Sequence, residues 1–93
     1  MTALGYNELK GRTILGKGGR EVGELSGILI DVDDWRVTSI EIKVHKDVLE
    51  AMGMKRPVFG TQSITVPISQ ISRTSDAILL EAELSEVQFT NNK

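Results

Sequence analysis

Three stretches of this chain alternate apolar and polar residues with a period of two, and that pattern points to a mainly β fold. In "RVTSIEIKV", residues 36–44, Ile40, Ile42 and Val44 fall on one face while Ser39, Glu41 and Lys43 fall on the other. In "GILIDV", residues 27–32, Ile28, Ile30 and Val32 share a face. In "AILLEAEL", residues 77–84, so do Ile78, Leu80, Ala82 and Leu84, with Glu81 and Glu83 opposite. Successive side chains of a strand point to opposite faces, so this spacing predicts strands with one face buried and one wet, as in antiparallel sheets. Val and Ile dominate all three, and β-branched side chains suit a pleated, half-buried surface.

The residues between these stretches supply the turns. Asp33-Asp34-Trp35 interrupts two apolar runs with a polar pair that initiates turns, so residues 22–44 read as a hairpin. Gly27 suits a bulge, where a strand bends sharply enough to close a small barrel. Pro67, in "SITVPI", has no N–H for a ladder and belongs at an edge or strand end. Five or six strands are expected in all. One short helix is predicted in "HKDVLEAMGMKRP", where Val48, Leu49 and Met52 recur at helical spacing, Asp47 sits in the first turn and Gly53 offers a stop before Pro57. Nothing divides the chain, so residues 1–93 read as one domain with a core at about 9–84. Residues 1–8 and 85–93 are terminal extensions without a clear pattern.

Glycine density in "GRTILGKGGREVGELSG", residues 11–27, mimics a phosphate-binding loop, but its chemistry is incomplete. Such a loop needs Ser or Thr after the lysine for the metal ion, and position 18 is Gly. It must also open a helix, and Gly18-Gly19 would each disfavour one by about 1 kcal/mol relative to Ala. Gly16 to Arg20 is therefore expected to form a β-hairpin turn. Asp31, Asp33 and Asp34 lack the glycine and distant glutamate of a calcium loop and read as a plain turn. The single histidine, His45, has no second imidazole to share a metal and falls at a strand–helix boundary. With one histidine and no nucleophile-elbow sequence, a hydrolase triad has nothing to stand on. Neither enzyme activity nor a cofactor or metal is expected.

Bulk properties narrow the partners. A chain of 93 residues buries only about 60 to 65% of its unfolded surface, leaving little room for a deep active site. Its net charge is -2 and its basic residues are scattered, so there is no electrostatic footprint for nucleic acid. There is no cysteine, and no apolar run reaches signal-peptide or membrane-span length. A cytoplasmic protein with no direct membrane insertion is expected. Large apolar residues outside the strand cores are the candidate protein-contact residues: Trp35 in a polar turn, Met52 and Met54 around the helix end, and Val58 and Phe59 between Pro57 and Gly60. Aromatic and methionine side chains bury large areas and adapt to a partner, which is why interfaces are enriched in them.

The run "LKGRTILGKGGREVGELSGILIDVDDWRVTSIEIKV" resembles the PRC-barrel family in the order and spacing of its parts. A Leu-x-Gly start and a short apolar strand lead through a glycine turn to Val22-Gly23, a long apolar strand ending at Asp31, a polar turn and another apolar strand. The resemblance implies a small antiparallel β-barrel of about six strands with one short α-helix. In the second half, Lys55-Arg56-Pro57-Val58-Phe59-Gly60, the "VP" strand and the Asp76 turn are similar to stand-alone archaeal members of the family. Some of those act as adaptors in cell division. That resemblance implies a non-catalytic adaptor, a homodimer, a partner such as SepF, which anchors the FtsZ ring, or a second PRC-barrel protein, and recruitment to the division site through that partner. The alternative it implies is the protein-binding half of a ribosome-maturation factor, which usually carries a second barrel domain ahead of this one. A reaction-centre-like subunit, the third possibility, normally has a membrane helix.

Overall fold

The computed structural model describes residues 3–45, 47–48, 62–82 and 90–92. The strands are β1 (Thr13–Leu15), β2 (Glu21–Asp31), β3 (Arg36–Val44), β4 (Gln62–Pro67), β5 (Ile71–Thr74), β6 (Ile78–Leu80) and β7 (Thr90–Asn92). They form one sheet in the order β5-β6-β1-β2-β3-β4-β7. A short helix, α1 (Tyr6–Leu9), precedes β1, and a 3-10 turn over Ile68–Gln70 links β4 to β5.

The predicted hairpin forms between β2 and β3 and is the longest pairing in the molecule, from Gly23↔Val44 to Asp31↔Arg36. Its ladder slips at Ser26, beside Gly27, and again at Thr38, so β2 carries the expected bulge and β3 a second one. The glycine turn between β1 and β2 closes as predicted. The Gly16 N–H donates to the Arg20 carbonyl at 2.9 Å, that of Gly19 donates to Gly16 at 2.9 Å, and Gly19 adopts a φ of 87°. Pro67 ends β4 opposite Ser39, where its missing N–H costs the ladder least.

One apolar cluster fills the concave side of the sheet. Ile14, Ile42, Ile64, Val66 and Leu80 are fully buried, and Val22, Leu25, Ile40, Val44, Val48 and Ile78 nearly so. Ile64 of β4 and Leu80 of β6 lie on opposite sides of the central β1–β2–β3 strands, yet they share this cluster. The sheet therefore curls around its core as a small barrel. Among the described residues β5 and β7 are its two edges, and no pairing joins them.

The structure adds to some expectations and corrects others. The barrel is not wholly antiparallel, because β1 pairs with β6 in parallel, Ile14 opposite Ile78. Alternation reports that one face of a strand is wet, which favours antiparallel sheets as a whole but does not fix the direction of any single pair. The terminal extensions are structured in part. α1 is opened by Glu8, whose carboxylate accepts the Gly5 N–H at 2.9 Å, and β7 adds to β4 through Ser63↔Asn92 and Thr65↔Thr90. Backbone pairing needs no apolar pattern and leaves no trace in the sequence. Of the predicted helix, only Asp47 and Val48 are described, both helical, with the Val48 N–H donating to the His45 carbonyl at 3.1 Å. The rest of it lies outside the described residues. Finally, Ile30 and Val32 do not face the core: they are 41% and 67% exposed. The bulges at Ser26 and Thr38 shift the register, and the hairpin then runs past both neighbours, since β1 reaches along β2 only to Glu24 and β4 along β3 only to Ser39.

Candidate functional site

The overshooting end of the β2–β3 hairpin carries most of the exposed large apolar side chains among the described residues: Leu29, Ile30, Val32 and Trp35. Scattered single apolar residues are ordinary on a protein surface, whereas a contiguous set on one projection is not. Its polar frame is built from the turn. The Asp33 N–H donates to Asp31 Oδ1 at 2.9 Å, an Asx turn, which absorbs one member of the acidic trio locally. Arg36 stands opposite Asp31 as the first pair of the ladder. Thr38 Oγ1 donates to the Leu29 carbonyl at 3.3 Å, tying the bulge to β2.

Trp35 ends the four-residue turn at 32–35. It is 78% exposed and takes a φ of 54°. The left-handed region costs a residue with a Cβ roughly 1–2 kcal/mol and is normally filled here by Gly or Asn. A tryptophan held there without burial gains nothing for the isolated domain. Backbone strain of this kind collects at binding and switch sites. Trp35→Gly should accordingly stabilise the domain by about 1 kcal/mol, raising its melting temperature by about 5 °C as read by circular dichroism. A lower melting temperature would mean that the indole is part of the core.

At the foot of the same hairpin lies an apolar cavity of about 210 Å³, walled by Tyr6, Leu9, Ile28, Val37, Ile40 and Ile68 among others. Leu4 and Ile68 at its rim are 43% and 40% exposed. Its lining offers apolar contact and almost no hydrogen-bonding groups, so it suits an aliphatic or aromatic group rather than a reacting substrate.

Polar clusters elsewhere are local. His45 Nε2 lies 2.9 Å from Glu21 Oε2, a contact of proximity rather than a well-aligned hydrogen bond, and both side chains are partly exposed. Such a pair contributes little, and carries charge on both sides only when the imidazole is protonated. The backbone of His45 does more, since its N–H donates to the Val22 carbonyl at 3.0 Å and its carbonyl accepts from Val48 at the strand–helix boundary. Among the described residues no three His, Cys, Asp or Glu side chains converge as metal ligands, and no polar or charged side chain is buried. No helix among them is long and apolar enough to cross a membrane.

Of the contact residues predicted from sequence, Trp35 stands on the hairpin tip, while Met52, Met54, Val58 and Phe59 lie outside the described residues. Leu29, Ile30 and Val32 were missed because alternation assigned Ile30 and Val32 to a buried face and left Leu29 as an ordinary outward residue. A usable signal was the length of β2, 11 residues against 3 in β1, which leaves part of the long strand without a neighbour on that side. Among families of known proteins, the one described as PRC-barrel domain matches residues 1–84. No curated protein matches the chain.

Proposed function

Because the chain belongs to the PRC-barrel family, a family of non-catalytic protein-interaction domains, we propose that it is an adaptor that grips a protein partner with the tip of its β2–β3 hairpin. The observation that carries this reading is Trp35, exposed and held at positive φ on a projection flanked by Val32 and Ile30. Fully desolvated aromatic anchors dominate binding energy at interfaces, and a strained tip residue that is idle in the free domain finds its use in a complex. The stretch from Lys55 to Gly60 and the "VP" strand favour the archaeal division branch of the family. In that setting the partner is SepF or a second PRC-barrel protein, and the domain reaches the membrane-anchored ring through it.

The test is affinity purification of the tagged chain from its native cells, read by mass spectrometry, with Trp35→Ala and Phe59→Ala alongside. Trp35→Ala is expected to reduce capture of the principal partner at least about tenfold, as truncation of a central aromatic costs about 2 kcal/mol or more, without lowering the melting temperature. Equal capture by both variants removes them as contacts. Recovery of ribosomal particles in place of division proteins moves the assignment to ribosome maturation.

A further inference from the structure

Among the described residues the hairpin tip also has an unpaired backbone edge. β1 pairs with β2 as far as Glu24, and the residues just ahead of β1 cover one more position, Leu25, whose N–H donates to the Arg12 carbonyl at 3.0 Å and whose carbonyl accepts from Gly11 at 2.9 Å. From Ser26 to Asp31, no strand among the described residues pairs with β2 on the side away from β3. An open edge of this length, bearing exposed Leu29 and Ile30, is a template for strand addition.

We propose that this edge pairs with the same edge of a second copy of the chain, antiparallel and about a two-fold axis through Leu29. This inference rests on the reading of the chain as an interaction module and adds the surface by which it meets itself. The register follows from symmetry. A two-fold normal to the sheet must keep paired side chains on one face, so one residue has to lie opposite its own copy. Centred on Leu29, the pairing sets Ile28 against Ile30 on both sides of the axis, and Asp31 against Gly27, which has no side chain to oppose it. Every apolar residue of the edge then meets an apolar residue, and no two like charges face each other within it.

In this register the pairing ends where the turn at 32–35 begins, just short of Leu25 of the other copy, the point where the Gly11 and Arg12 backbone takes over the edge. A register centred on Ile28 instead places Asp31 opposite Leu25, whose N–H and carbonyl are already taken.

The chain has no cysteine, which makes single-cysteine cross-linking clean. Leu29→Cys places two thiols at cross-strand distance, about 5 Å between Cα atoms and within disulfide reach. Val32→Cys, more exposed, places them roughly 20 Å apart. Mild oxidation at micromolar concentration is expected to convert most of Leu29→Cys, and almost none of Val32→Cys, to a covalent dimer. By sedimentation, the unmodified chain is expected to be dimeric and Leu29→Lys, which sets two ammonium groups against each other, to dissociate at least about 100-fold more readily. Since Leu29 is 40% exposed in the single chain, Leu29→Lys should keep the parent's melting profile at dilutions where both are monomeric. A purely monomeric parent overturns the proposal, as does a dimer that survives Leu29→Lys or cross-links equally at both cysteines. Capture through Trp35 is measured on the Trp35→Ala variant against the unmodified chain, so a monomeric parent removes the self-pairing and leaves that capture standing.

Discussion

Gly23→Ala is expected to cost the domain about 3 kcal/mol or more, the upper range for forcing extra volume into a packed interior. For a domain of this size that lowers the melting temperature by about 12–24 °C. Gly23 is buried in the middle of the sheet, pairing with Ile14 on one side and Val44 on the other. A Cβ built there would stand 2.9 Å from the Lys43 carbonyl carbon and 3.0 Å from the Val44 Cα, and closer still to the Lys43 carbonyl oxygen. All three atoms are backbone of β3 and cannot yield without opening the central ladder. Gly27→Ala is the control. There the new methyl meets only the side chain of Glu41, a flexible carboxylate at the sheet surface, and a loss under about 1 kcal/mol is expected. Thermal melts of the two variants by circular dichroism decide the matter. Equal melting temperatures would mean that β2 and β3 are not in close backbone contact at Gly23.

Ile42→Ala should come next, at about 3–4 kcal/mol. Ile42 is fully buried on β3, in register with Leu25 of β2 and Ile64 of β4, so its side chain occupies the middle of the cluster. The neighbours are held by ladders on both sides and cannot collapse into the space. The cavity term therefore adds to the lost transfer energy. Ile42→Val, which removes one methylene, should cost about 1 kcal/mol, and urea titration of the pair should show the midpoint falling in proportion with the slope unchanged. A loss below about 1 kcal/mol for Ile42→Ala would mean that the core is loose at its centre.

The β2–β3 hairpin and the inward set Ile40, Ile42 and Val44 were legible because alternation and turn residues both act locally. Gly23 appeared in the sequence only as one of a string of glycines, and its special place depends on how closely β3 passes, which is tertiary. The exposure of Ile30 and Val32 could not be read from alternation. That pattern says which residues share a face but not whether anything covers it, and among the described residues the neighbouring strands stop at Glu24 and Ser39. Trp35 was legible as an aromatic in a polar turn, while its positive φ emerges only from the four-residue closure between Asp31 and Arg36.

The pairing of Ile14 with Ile78 also sets an order of events during synthesis. β2, β3 and their hairpin can form from neighbouring residues, but β1 gains its second partner only after β6 has left the ribosome. Contacts between distant parts of a chain form slowly, because the intervening loop must be closed first. Throughout that interval the β6 side of Thr13 to Leu15 is open to every other nascent copy nearby. The glycine turn at 16–20 shortens the danger by folding β1 onto β2 at once, which leaves one side of the strand, rather than two, open to the wrong chain.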